Sequence, residues 1–139
     1  MSYKIVAKYI KDINFQITDT RTFFLLSKNI SNYNLNIDIK SNQVKEKIIE
    51  VGIILSLIPL KEDVEKIDIK ISHSTVVELD SKNLEKKELE KIILVQIPTI
   101  VYPEIKETLI LLFSKSGFKD LKFEKSVNFE ELYKKRKIQ

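Results

Sequence analysis

Ile97-Pro98-Thr99-Ile100-Val101-Tyr102-Pro103, an apolar run from there to Lys115, Gly117-Phe118, and then Val127-Asn128-Phe129-Glu130-Glu131-Leu132-Tyr133 form the stretch that decides the fold. It punctuates two helices. Pro103 suits the first position of a helix, where its missing N–H costs nothing, and Glu104 and Glu107 set negative charge against the positive end of the dipole. Lys115 and Gly117 supply the stop, since glycine takes the left-handed conformation that closes a helix and Phe118 can fold back onto the last turn. Asn128 then reads as a cap, with Glu131 three residues on and Val127 and Leu132 at the two positions of a hydrophobic staple. The spacing predicts one helix from Glu104 to Ser116 and a second opening after Asn128.

The middle of the first helix carries Leu109, Ile110, Leu111, Leu112 and Phe113 in a row. A helix on a monomer's surface shows one apolar stripe and one polar face, so this one needs cover on two sides. One cover is a sheet of the same chain. A further layer is hard to build from 139 residues, and the simplest second cover is a symmetry-related copy of the same helix. Leu109, Leu112 and Phe113 are the candidate contacts between copies.

Toward the N-terminus the period changes from helical to two. Ile5, Ala7, Tyr9, Ile13, Phe15 and Ile17 alternate largely with polar residues, and Tyr33, Leu35, Ile37 and Ile39 alternate with Asn34, Asn36, Asp38 and Lys40 before a turn at Ser41-Asn42-Gln43. From Ile48 to Leu60 both parities are apolar, which predicts a central strand covered on both faces. Pro59 ends its ladder and Lys61-Glu62-Asp63 turns the chain into a fourth run, Ile67 to Leu79. Asp19 to Ser31 fits neither period. Asp80 to Ile93 has Leu84, Leu89, Ile92 and Ile93 at helical spacing and reads as a short helix or crossover. Short turns between long strands predict a four-stranded antiparallel meander with the C-terminal helices packed on one face, an α+β fold. The chain reads as a single domain over residues 1–139, with no repeat or linker to divide it.

Composition narrows the chemistry. The chain has no cysteine, one histidine and two glycines. Disulfides, thiol catalysis and cysteine metal sites are therefore excluded, and neither a phosphate-cradling loop nor a patterned metal site can be assembled. His73 lies on a strand without a nucleophile partner, and Glu85, Glu88, Glu90, Glu130 and Glu131 sit among lysines as solvated helix faces do. This argues against an enzyme, a cofactor or a metal. The net charge of +4 is spread along the chain. Lys134-Lys135-Arg136-Lys137 could meet phosphates, but lysines at a helix end also oppose the dipole, and no aromatic and basic platform accompanies them, so nucleic-acid binding is set aside. The absence of a signal segment or membrane-length apolar run predicts a cytoplasmic location.

The first strand contains Tyr9-Ile10-Lys11-Asp12-Ile13-Asn14-Phe15, the two prolines with Tyr102 precede the helix, Ser116-Gly117-Phe118 follows it, and Asn128-Phe129 with Leu132-Tyr133 comes near the end. In order and spacing this resembles the SecB family of protein-export chaperones over nearly the whole chain. The resemblance implies an ATP-independent holdase, assembled as a dimer of dimers, that binds unfolded or precursor polypeptides in apolar grooves and delivers them to the SecA motor. Asp12 is the position implied for SecA docking. Gln16 stands where an acidic residue is common in the family, and Lys70 and the basic tail work against such docking. Some SecB-like proteins instead guard an antitoxin, an alternative partner that the sequence leaves open.

A holdase needs exposed apolar surface. The candidates for client binding are Phe23, Phe24, Leu25 and Leu26 in the irregular segment, Val76, Val77 and Leu79 on the fourth strand, and Ile97, Ile100, Val101 and Tyr102 around the prolines. For Phe23 to Leu26 the competing expectation is packing beneath the sheet.

Overall fold

Leu35, Ile37 and Ile39 alternate with Asn36, Asp38 and Lys40, the period that turns one side of a strand to a core and the other to water. In the computed structural model, which describes residues 2–30, 33–59, 67–118 and 127–138, they lie in β2 (Tyr33–Lys45). β1 (Tyr3–Phe15), β3 (Ile48–Pro59) and β4 (Ile69–Leu79) complete one antiparallel sheet in the order β1-β4-β3-β2. The α+β class and the four antiparallel strands are as predicted. The meander holds only for β2, β3 and β4. β1 lies at the far edge against β4, a Greek-key arrangement whose long connection carries helix α1 (Thr20–Asn29).

β3 is central, yet it is covered on one face only. Val51, Ile53, Leu55 and Leu57 are buried, while Ile58 on the opposite face is 41% exposed and Ile48 and Ile54 are half-buried. The predicted phase of β1 is also corrected. Tyr3, Ile5, Lys8, Ile10, Ile13 and Phe15 oppose the core-facing positions of β4, with irregularities between Ile5 and Ala7 and between Ile10 and Asp12. Each bulge adds one residue and reverses which side follows. Ala7 and Tyr9 thus face away from the helices, and Lys8 turns toward them. β2 runs through the predicted turn at Ser41 to Gln43, and the chain reverses at Glu46-Lys47 instead, where Lys47 has φ 65°. The turn predicted at Lys61 to Asp63 lies outside the described residues.

The segment read as irregular is α1. Its start is fixed by Asp19, whose Oδ1 accepts the Thr22 N–H at 2.8 Å, and that bond holds the carboxyl below its ordinary pKa. Thr22 and Leu26 are its buried residues, at a spacing that puts them on one helical face.

Helix begins before the prolines. α2 (Lys86–Lys91), a wide π turn (Ile92–Gln96) and α3 (Ile97–Lys115) follow one another without a break. Pro98, near the start of α3, takes the place expected of Pro103, which lies inside α3. The Ile97 N–H reaches back five residues to the Ile92 carbonyl. That widening falls just ahead of Pro98, whose ring would crowd a carbonyl four residues back in a regular helix.

α3 lays Ile97, Val101, Ile105, Leu109 and Phe113 into the core, at the four-residue spacing of one helical face. Its end is as predicted. The Phe118 N–H bonds to the Phe113 carbonyl at 3.0 Å, the Gly117 N–H to Ser114 at 3.3 Å, and Gly117 has φ 95°. This is a Schellman closure. Phe118 then packs its ring 5.4 Å from Phe113 and 4.9 Å from Phe23, while Phe113 meets Phe15 at 5.0 Å. One aromatic chain ties β1, α3 and α1 together. α4 (Phe129–Ile138) opens where expected, with Asn128 Oδ1 accepting the Glu131 N–H at 3.1 Å.

Candidate functional site

The sequence-derived apolar set divides by exposure. Phe24 is 65% and Ile100 45% exposed, and Phe23, Leu25 and Val76 are half-buried. Leu26, Val77, Leu79, Ile97, Val101 and Tyr102 are buried and belong to the core. They are corrections with one cause: a run of consecutive apolar residues spans both faces of a helix or strand, and only the phase decides which side chains face inward. The residues expected between copies also differ in exposure. Leu109 and Phe113 are 1% and 0% exposed inside the chain's own core, Leu112 is half-buried, and Leu111, at 55%, is the residue that points outward. Ile100 and Leu111 mark the exposed side of α3, and Lys8 on β1 clamps its flank by reaching Glu104 Oε1 at 2.8 Å and Oε2 at 3.1 Å.

A groove runs along the π turn, the first turns of α3 and α4. At the start of α4 a cavity of about 620 Å³ is walled by Tyr3, Val95, Ile100 and Val127 together with the polar Gln96, Thr99, Asn128 and Glu130. Between β2 and α4 a second cavity of about 240 Å³ is walled by Ile37, Asp38, Ile39, Leu94, Leu132 and Tyr133. Phe129 borders both, and its ring meets Tyr102 edge-on at 5.7 Å. Sequence reasoning brought Ile100 to this place and missed Leu94, Val95 and Phe129. The signal was available in the four-residue step from Phe129 to Tyr133.

The sheet face away from the helices carries a polar cluster beside the apolar Ile48, Ile54, Ile58 and Val76. Glu50 Oε2 accepts from Ser74 Oγ at 2.7 Å and from Tyr9 Oη at 3.0 Å, and these bonds hold its carboxyl below the usual range, with Lys11 at 3.8 Å adding to the effect. Asp12 is exposed opposite Ser72, Lys70 opposite Asn14, and Gln16 beyond the end of β1. On the helix side His73 is 8% exposed and its Nδ1 has no hydrogen-bond partner among the described residues. Burial pushes the imidazole pKa down, Glu104 opposes that and Lys8 reinforces it.

No group of metal-ligating side chains is present among the described residues, and none of their helices is long and apolar enough to cross a membrane. What the surface offers is apolar relief with charged borders.

The family model described as "Preprotein translocase subunit SecB" matches residues 1–139. The chain belongs to the SecB family. It is 42% identical to the "Putative protein-export protein SecB" of Pelagibacter ubique over 97% of this chain and 96% of that one. It is 24% identical to the "Protein-export protein SecB" of Azoarcus sp. over 96% of this chain and 87% of the other. Among solved structures, a SecB-like chaperone of Mycobacterium tuberculosis in complex with a ChAD peptide from the HigA1 antitoxin superposes with a TM-score of 0.61, covering 90% of this chain and 91% of that one at 12% identity. That likeness shows the fold. Family membership makes this a protein-export chaperone that binds preproteins and is not an enzyme.

Proposed function

We propose that this SecB-family chain is an ATP-independent cytoplasmic holdase that seats apolar segments of unfolded precursors in the groove beside α4, with Phe24 on α1 as an outlying contact. The observation that carries the reading is the pair of cavities sharing Phe129. Each side chain fully buried there is worth about 1.5–3 kcal/mol. Several such contacts, after the client's ordering cost, leave affinity near micromolar, about 8 kcal/mol. Repetition over a symmetric assembly tightens this without a sequence code.

A dimer of dimers needs two different self-complementary contacts. The exposed stripe of α3 around Ile100 and Leu111 supports one of them, and the edge of β1, with Val6, Ile10 and Ile13 exposed, supports the other. Delivery to SecA would use the polar outer face of the sheet through Asp12, where Lys70 and Gln16 reduce the negative field such docking calls for. The naming of the 42% identical relative for export favours this route over an antitoxin client.

Gel filtration with light scattering tests the reading. The protein should comigrate with a reduced, carboxymethylated and therefore permanently unfolded globular protein, and should ignore its folded form. Capture of neither, or of both equally, would overturn the holdase.

A further inference from the structure

We propose that α4 is a built-in competitor for the client groove, seated in it as a client would be and held down by a latch between Tyr133 and Glu90. This rests on the holdase reading and adds how access to the groove is controlled.

α4 has ten residues, short of the length at which an isolated helix holds in water, so its helicity depends on the Asn128 cap and on the bed beneath it. The attachment is narrow. Phe129 and Tyr133, four apart, are buried at 3% and 6%, while Leu132 is 51% exposed and Glu131, Lys134 and Lys135 face solvent. Phe129 lines both cavities, so lifting it would uncover the wall they share, with Leu94, Val95, Ile100 and Ile39 around it. Phe129 and Tyr133, with Glu130, Glu131 and Leu132 between them and Lys134 and Lys135 after, offer two aromatic side chains on one helical face, the apolar anchors such a groove would take from a client. α4 therefore presents the groove with a segment of its own chain, and an incoming client competes with it.

The latch is the Tyr133 hydroxyl, which donates to Glu90 Oε2 at 2.9 Å and joins α4 to α2. A hydrogen bond to a charged acceptor is stronger than one between neutral groups. It also fixes the direction in which α4 lies, because Glu90 is on the continuous helix that leads into the groove wall.

Tyr133→Phe removes the hydroxyl and keeps the ring, and Glu90→Ala removes the same bond from the other side. Both variants and the unmodified protein are compared by hydrogen exchange of the amides of residues 129–135 without client, and by titration of the reduced, carboxymethylated protein. The latch predicts faster exchange confined to α4 and client binding tighter by about tenfold in both variants, the size of one net hydrogen bond to a charged group at the low end of its range, about 1.5 kcal/mol. Unchanged exchange in both variants overturns the latch whatever the capture result. Faster exchange with unchanged or weaker capture makes α4 a fixed wall and overturns the competition. Should neither the unmodified protein nor the variants capture the client, the holdase reading itself falls, and the competitor with it.

Discussion

Replacing each of the two glycines by alanine should move stability in opposite directions. Gly117 stands at φ 95°, and a Cβ there would lie 3.3 Å from both Cε2 and Cζ of Phe23. A left-handed alanine costs about 1–2 kcal/mol, and the lower entropy of the unfolded alanine chain returns about 0.4–1 kcal/mol. The Phe23 ring must also yield, and it is held between Phe24 and Phe118 at 5.5 and 4.9 Å. Gly117→Ala should therefore lose about 1–2 kcal/mol overall. Gly52, in the central strand, has no such restriction, and a Cβ there meets only the Lys40 carbonyl at an ordinary 3.6 Å. Gly52→Ala should gain about 0.5–1 kcal/mol. Urea unfolding at one fixed protomer concentration measures both, since any assembly makes stability depend on concentration. Loss from both substitutions to the same extent, or no loss from Gly117→Ala, would refute the closure described for α3.

Leu111→Glu should reduce the assembled mass in light scattering while leaving the circular dichroism of a folded chain, whereas Leu109→Glu, with its charge in the core, should prevent folding; unchanged mass in the first variant removes α3 from the interface. Phe24→Ser should weaken client capture while losing only about 0.5–1.5 kcal/mol of stability with its edge contact to Phe23, and Leu26→Ala should cost about 2–5 kcal/mol in urea unfolding. For His73 the folded pKa is depressed, so the unfolded state takes up the proton first as pH falls. The stability of its neutral form is full above the ordinary imidazole value and is lost as pH falls toward the folded one. His73→Gln should flatten that part of a stability against pH curve, and an unaltered slope would show that the imidazole does not contribute to it.

The fold was largely legible because its punctuation is local. Gly117-Phe118 and Asn128 with Glu131 act through bonds within a few residues, and the structure makes those bonds. β2 showed its period because no bulge interrupts Leu35 to Ile39. β1 misled because two inserted residues reversed its phase, a defect that leaves no mark on composition. α1 was concealed by Phe23-Phe24-Leu25-Leu26, although Asp19 already marked its start and only one of those four is fully inside. The surface site was harder to read. Exposure at Ile100 and burial at Val101 differ by a single step around a helix, and that step is set by tertiary packing. The groove itself brings together β2, the π turn and α4, which are far apart along the chain.

An α-helix returns to the same face every 3.6 residues, about 100° per residue, and a π turn departs from that count by one. The widening between Ile92 and Gln96 is thus an angular offset inside an otherwise continuous rod. Everything upstream of it, Leu89 and Glu90 included, is aimed differently from how a regular helix leading into Pro98 would aim it. Replacing the widening by an ordinary α turn at unchanged length would leave the charges, the hydropathy and both partners of the Tyr133 bond intact, and would still swing Glu90 by about 100°, roughly a quarter turn, about the axis, whereas deleting one residue along with it would restore the aim of Glu90. The number of residues separating Glu90 from Pro98 is consequently part of the seat on which α4 rests.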